Sequence, residues 1–205
     1  MLSRLHEILI NRVTDSIKNQ LIDINSTSNE PTKRLIQDIE ALGGSNIVLY
    51  GSGKFRSPDG QFAVADSYYP GVVIEIVYSQ SFQSLRWKAQ DLIVNSGGNI
   101  QLVIGLEVES RKAYKISAWR PDFIRTQNQD TVRMRAIVEQ DVIRDNDGNL
   151  KSGSLTFQLR DLANNLATTF PDANLNEVIN LHYGDLANYL ARAEEFQAQK
   201  NNVQI

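Results

Sequence analysis

The stretch that most constrains this chain is Val72-Val-Ile-Glu-Ile-Val77, entered through Pro70-Gly71. Odd and even positions alike are apolar, Glu75 excepted. Side chains alternate between the faces of a strand, so this pattern asks for a strand covered on both sides, central in a sheet. An ionised carboxylate inside such a strand is costly unless a metal ion or hydrogen-bond donors compensate it. Glu75 therefore needs a partner. A divalent cation shared with Asp59 is the sharpest one the sequence offers.

At 205 residues and 41% hydrophobic content the chain can bury one sizeable core. A single domain over 1–205 is expected: an N-terminal helix and loop over 1–31, a core over 32–120, and a hairpin with a C-terminal helical extension over 121–205. Leu5, Ile8, Leu9, Val13, Ile17, Leu21 and Ile24 follow helical spacing. Asn25 to Asn29 reads as a loop. Thr32 caps a second helix with Leu35, Ile36, Ile39 and Leu42 on one face, closed by Gly43-Gly44. Strands follow at 47–50, 59–65 and 72–77. Residues 79–94 return to helical period, with Phe82, Leu85, Ala89, Leu92 and Ile93 as the apolar face. Strands are expected at 100–108 and 114–119, the latter broken by Pro121-Asp122. Residues 132–143 and 155–159 read as a hairpin turned by Asp145-Asn-Asp-Gly148, and from Arg160 onward the pattern is helical. A helix between two strands implies a right-handed parallel crossover. The expected class is α/β or α+β, a mixed β-sheet flanked by helices with extra antiparallel hairpins.

Composition narrows the chemistry. The absence of cysteine excludes disulfides, thiolate catalysis and Cys-ligated zinc. His6 and His182 lie far apart in helix-like, polar contexts, which argues against a His-rich metal site. Oxygen ligands remain, and these suit Mg²⁺ or Mn²⁺. A net charge of −3 and a pI near 5.4 give no global basic field toward nucleic acid. The N-terminus lacks the pattern of a signal peptide, and no apolar run approaches a membrane span. An intracellular protein, cytoplasmic or nuclear, is expected, without a membrane partner. A homodimer is compatible with the sequence.

Asp59, Glu75 and Lys88 form the constellation that carries chemistry. Carboxylates on neighbouring strands can share one Mg²⁺, and a nearby ammonium can orient a water or neutralise developing charge. Gln80, Ser84 and Lys88 share one helix face at i, i+4, i+8. The helix start at Ser79-Gln80-Ser81 would aim amides at a phosphate. Glu40 on the second helix is a further candidate carboxylate. Other motifs read as structure. Asp145-Asn-Asp-Gly148 lacks the spacing of a calcium loop, and Gly51-Ser52-Gly53-Lys54 lacks that of a phosphate loop. Arg133 and Arg135 fit a solvated strand face, and Trp87 and Trp119 fit core or interface positions.

Pro58-Asp59, then Glu75 on the next strand, then a helix and a fourth strand, resembles the PD-(D/E)XK, restriction-endonuclease-like superfamily. More closely, the run from Pro70 through Ser81 followed by Leu85-Arg-Trp-Lys-Ala89 resembles an endonuclease-like branch with P-D, E-V-x-S and a lysine on the downstream helix. It is also similar to fungal proteins of unassigned function that carry Y-P-x-x-V-x-E-V-x-Y-S-x-S, an S-G-G-x-I strand entry and a later W-R-P. Here those last two are Ser96-Gly-Gly-Asn-Ile100 and Trp119-Arg120-Pro121. The resemblance covers residues 32 to about 121. It implies a restriction-endonuclease-like core, Mg²⁺ or Mn²⁺ held by Asp59 and Glu75, and nucleic acid as substrate. It implies Lys88 as catalytic lysine and Gln80 and Glu40 as accessory residues. The superfamily's usual lysine, two residues after the second carboxylate, is Val77 here, and Lys88 is its natural substitute. The implied activity is metal-dependent phosphodiester hydrolysis. The alternative is a catalytically inactive descendant serving as a binding or scaffold module.

Overall fold

The computed structural model describes residues 4–78, 81–109, 112–125 and 130–201. Helix α1 (Arg4–Thr27) buries one stripe, Leu5, His6, Leu9, Ile10, Val13, Ile17 and Leu21. A short α2 (Glu30–Gln37) begins at Asn29, whose side chain accepts from the Thr32 amide at 3.0 Å. Strands β1 (Ile39–Ala41), β2 (Ile47–Leu49), β3 (Lys54–Arg56), β4 (Gly60–Val64) and β5 (Val72–Tyr78) follow. Helix α3 (Phe82–Asn95) is N-capped by Ser81 and crosses to β6 (Leu102–Val108). Then come β7 (Tyr114–Arg125), β8 (Asp130–Arg144), β9 (Ser154–Gln158), a 3₁₀ turn (Leu159–Leu162), α4 (Leu166–Thr169), β10 (Val178–His182) and α5 (Tyr183–Asn201).

Six strands form one mixed sheet in the order β1-β4-β5-β6-β7-β8. Among the described residues only β5 and β6 pair in parallel, Val72 opposite Leu102 through Tyr78 opposite Val108, and α3 is the crossover between them. The remaining pairings are antiparallel. As the apolar run demands, β5 is internal and covered on both faces. Val72, Ile74 and Ile76 join a core with α1, α5, β9 and β10. Val73 and Val77 face α3 and pack with Leu85, Ala89, Leu92, Ile93 and Trp119. The β2–β3 hairpin lies on the α3 side, adding Ile47 and Leu49 to that second core.

Several expected elements are corrected. Helix α1 continues through Thr27, into the expected loop. Helix α2 stops at Gln37, and Ile39–Ala41 pairs with Val64–Phe62 as an edge strand. Ladder bonds to β4 outweigh the helical spacing of Ile36 and Ile39. Strand β7 runs through Pro121 to Arg125, past the break expected at Pro121-Asp122. Beyond Trp119 its pairing is with β8 alone, and a missing N–H is tolerated on the open side. The Asp145 turn does form, with Asp145 accepting from the Asp147 and Asn149 amides. Past the single Arg144–Leu150 bridge the chain leaves β8. Its next strand, β9, pairs with β10 instead. The segment after Arg160 is therefore not all helical. Leu155, Phe157, Ile179 and Leu181 point to the core with period two, which a small two-stranded sheet satisfies.

Gly71 locks this plan together. Its amide donates to the Phe62 carbonyl, and its carbonyl accepts from the Gln101 and Leu102 amides. A Cβ added there would lie 2.0 Å from the carbonyl carbon of Leu162 and 2.5 Å from the Ala163 nitrogen. These are backbone atoms of the 3₁₀ turn, which is itself anchored by the Arg120–Asp161 ion pair at 2.6 Å. No rotamer change relieves that clash. Gly71→Ala is expected to lose about 3 kcal/mol or more in urea unfolding. A loss under about 1 kcal/mol would show that the turn moves aside freely.

Candidate functional site

Glu75 is 4% exposed at the middle of β5, on the face toward α3. Lys88 reaches it from α3, with Nζ 3.2 Å from Oε2. The lysine side chain is 36% exposed, so its stem crosses from the packed border of the helix while its head stays near water. The adjacent Ala89, fully buried, fixes the helix on the sheet. Arg86, two positions before Lys88 on α3, pairs with Glu139 at 3.2 Å.

Asp59 lies just before β4. Gly60 is opposite Ile74, which brings Asp59 level with Glu75 on the neighbouring strand. Oδ2 of Asp59 accepts from the Ile76 amide at 2.6 Å. Oδ1 lies 3.0 Å from Nε2 of His6. Thus α1 supplies a fourth member from the opposite side of the sheet. The structure places Asp59, Glu75, Lys88 and His6 in one cluster.

Sequence reasoning set His6 aside as a lone helical histidine. The signal that could have found it is its place in the buried stripe of α1. It stands four residues before Ile10 and seven before Val13, where an apolar residue is expected. His6 also lies 6.2 Å, ring to ring, from Tyr78 at the end of β5.

Burial, the largest influence, pushes the Glu75 carboxyl above its ordinary value. The Lys88 charge and hydrogen bond pull it back, and the Asp59 charge pushes it up again. For His6, burial alone would lower the imidazole. The hydrogen bond and charge of Asp59, with Glu7 and Glu75, outweigh burial and raise it. The cluster therefore favours a protonated His6 against Asp59.

The accessory candidates fare differently. Gln80 lies outside the described residues. The placement of Glu40 is corrected: it sits exposed on edge strand β1 opposite Ala63, not on a helix. Two of the sequence motifs serve the scaffold. Trp119 is fully buried against α3 and donates to Glu139, and Arg120 pairs with Asp161. In the Ser96–Ile100 motif the Ser96 hydroxyl donates to the Ile93 carbonyl and accepts from the Ile100 amide, closing α3.

Among the described residues no group of three or more His, Asp or Glu side chains is placed to hold a metal ion, and no helix is long and apolar enough to cross a membrane. No family model matches the chain, and no curated protein or solved structure is significantly similar to it.

Two outcomes follow from the ionisation state. A raised His6 contributes stability that is fully present below its unfolded value near 6.5. That contribution is lost as pH rises through the folded value. The stability gap between wild type and His6→Gln in urea unfolding should therefore shrink as pH rises above about 6.5. A gap independent of pH would show that no imidazolium–carboxylate pair forms. Replacing Lys88 by Met removes the strongest influence lowering Glu75, so its carboxyl should titrate at higher pH by NMR than in wild type. An unchanged or lowered value would remove Lys88 as its partner.

Proposed function

We propose that this chain is a metal-dependent nuclease-like protein that hydrolyses phosphodiester bonds of nucleic acid, with Asp59, Glu75 and Lys88 as its working residues. The observation that carries this reading is the Lys88–Glu75 contact beside Asp59. A lysine from the helix after the Glu75 strand reaches that carboxylate, as the resemblance to the restriction-endonuclease-like superfamily implies. The order of elements supports it: a helix, an antiparallel run β1-β4-β5, a crossover helix and a parallel β6.

The donor chemistry fits a hard divalent ion that takes one or two carboxylates and completes its shell with water and phosphate oxygens. Asp59 and Glu75 would hold Mg²⁺ or Mn²⁺, which supplies a bound water of lowered pKa and positive charge for the phosphodiester. Lys88 contributes a charge that balances the buried Glu75 and, from its half-open position, faces incoming phosphate. His6 holds Oδ1 of Asp59, so a proton on His6 and a metal compete for that oxygen.

That last contact favours a second reading, a non-catalytic binding or scaffold protein on the same fold. Both oxygens of Asp59 are already engaged, by His6 and by the Ile76 amide. The position two residues after Glu75 is a buried valine.

The deciding measurement is cleavage of single-stranded and duplex DNA and RNA with Mg²⁺ and with Mn²⁺. Wild type should cleave at least one of these. Glu75→Gln should lose at least about 100-fold and Lys88→Met at least about 10-fold, with folding intact by circular dichroism. Absence of cleavage by wild type with either ion on every substrate would defeat the nuclease reading and leave the scaffold one.

A further inference from the structure

Aromatic exposure in this molecule is lopsided. Six aromatic side chains are exposed among the described residues. Phe196 is on α5. Tyr50, Phe55, Tyr68, Trp87 and Phe123 lie on α3, on the β2–β3 hairpin packed against it, or on the segments beside them. Trp87 is 55% exposed and is the residue next to Lys88 on α3. Two cations from β3 flank its ring, Lys54 at 5.9 Å and Arg56 at 5.3 Å from the centroid. Asp91 pairs with Arg56, whereas Lys54 has no ion pair among the described residues.

At the far end of the hairpin, Tyr50 and Tyr68 stack with centroids 4.5 Å apart. Both are exposed, and the buried Tyr69 props them edge-on from below. They open onto a cavity of about 390 Å³ whose other walls are Ser67, Asn99, Asn164, Asn165 and Thr169. That lining is aromatic and neutral, with hydroxyl and amide groups and no charged side chain.

Exposed rings gathered on one side of a protein, rather than scattered singly, mark an interaction surface. Their arrangement specifies the partner. Flat π-faces are what unpaired bases stack upon, in a sequence-tolerant way, while interspersed cations track the phosphates. A duplex keeps its bases stacked inside and offers these rings little. The net negative charge of the whole chain means that attraction must come from local groups such as Lys54.

We propose that the α3–hairpin face binds single-stranded nucleic acid. One base stacks on Trp87 beside a phosphate contact from Lys54, and another base meets the Tyr50–Tyr68 pair at the mouth of its cavity. The strand then passes beside Lys88 and Glu75. This deepens the nuclease reading by naming its substrate class, and rests on that reading for its direction. Binding itself requires no cleavage.

The test uses fluorescence anisotropy in EDTA with the full chain and a labelled oligothymidine of about 20 nucleotides, longer than typical single-strand sites. A duplex of equal length is the comparison. Trp119 is fully buried and Trp87 is exposed, so quenching of the intrinsic emission reports on Trp87. The single strand should bind at least about 10-fold more tightly than the duplex, quench the emission, and weaken with added salt. Trp87→Ala, and separately the double change Tyr50→Ala with Tyr68→Ala, should each weaken binding roughly 5- to 100-fold. Phe196→Ala should leave it unchanged. Equal affinity for duplex, no binding, or unaltered binding by both aromatic variants would overturn the proposal. So would sedimentation showing a dimer that Trp87→Ala dissociates, since the face would then belong to a second copy of this chain. Binding without metal-dependent cleavage defeats only the nuclease reading. Cleavage without single-strand preference or dependence on the aromatic residues defeats only this proposal.

Discussion

Glu75 sits inside β5 because α3 brings an ammonium to it. Removing a carboxylate from water is opposed by several kcal/mol per ion unless the protein returns comparable electrostatic stabilisation. The returning group is Lys88 at 3.2 Å. Its placement depends on packing a few atoms away. Leu85, Ala89, Leu92 and Ile93 hold α3 against the sheet. Gly105, directly opposite Glu75 on β6, leaves the space that Leu85 occupies. A Cβ on Gly105 would come within 2.6 Å of Leu85 Cδ2. The electrostatics of the site is thus a product of how closely one helix approaches one glycine.

Buried acids with basic partners recur in this fold, and their differences are informative. Asp161 and Asp91 are each largely buried and paired with an arginine, Arg120 and Arg56. Each also accepts a further hydrogen bond, Asp161 from the Gln158 amide and Asp91 from Asn95. A planar guanidinium suits such fixed bracing. Glu75 instead has a lysine, a compact charge on a flexible stem with its head near solvent. Asp59 has a histidine, whose charge changes within the physiological range. The two carboxylates at the cluster are held by the two cations most able to move or to discharge, which sets them apart from the scaffold pairs.

Much of this was legible in the sequence wherever the pattern was local. The two-faced run around Glu75 fixed β5 as internal, and the helical face from Phe82 to Ile93 placed Lys88 at its border. What escaped depended on distant partners. Ile39–Ala41 continued a helical spacing, yet β4 supplied a ladder that ended α2 early, and Glu40 went with it to the exposed edge. The short alternation of Val178–His182 was overrun by surrounding helical signals until β9 gave it a partner. His6 was invisible as a site member because its value lies in Asp59, more than 50 positions away in the numbering.

Gln20 on α1 exchanges two hydrogen bonds with Asn180 of β10, spanning 160 residues. Helix α1 also packs beside α5. The helix that presents His6 is therefore secured largely by segments that are synthesised well after it. During synthesis α1 emerges before β10 and α5, and the imidazole has no fixed carboxylate to meet. Closing such long loops is slow relative to local helix formation. The Glu75–Lys88 pair, only 13 residues apart in sequence, can assemble early, whereas the His6–Asp59 pair waits for the C-terminal layer. The two halves of one charge cluster thus have different birth times in the life of each molecule.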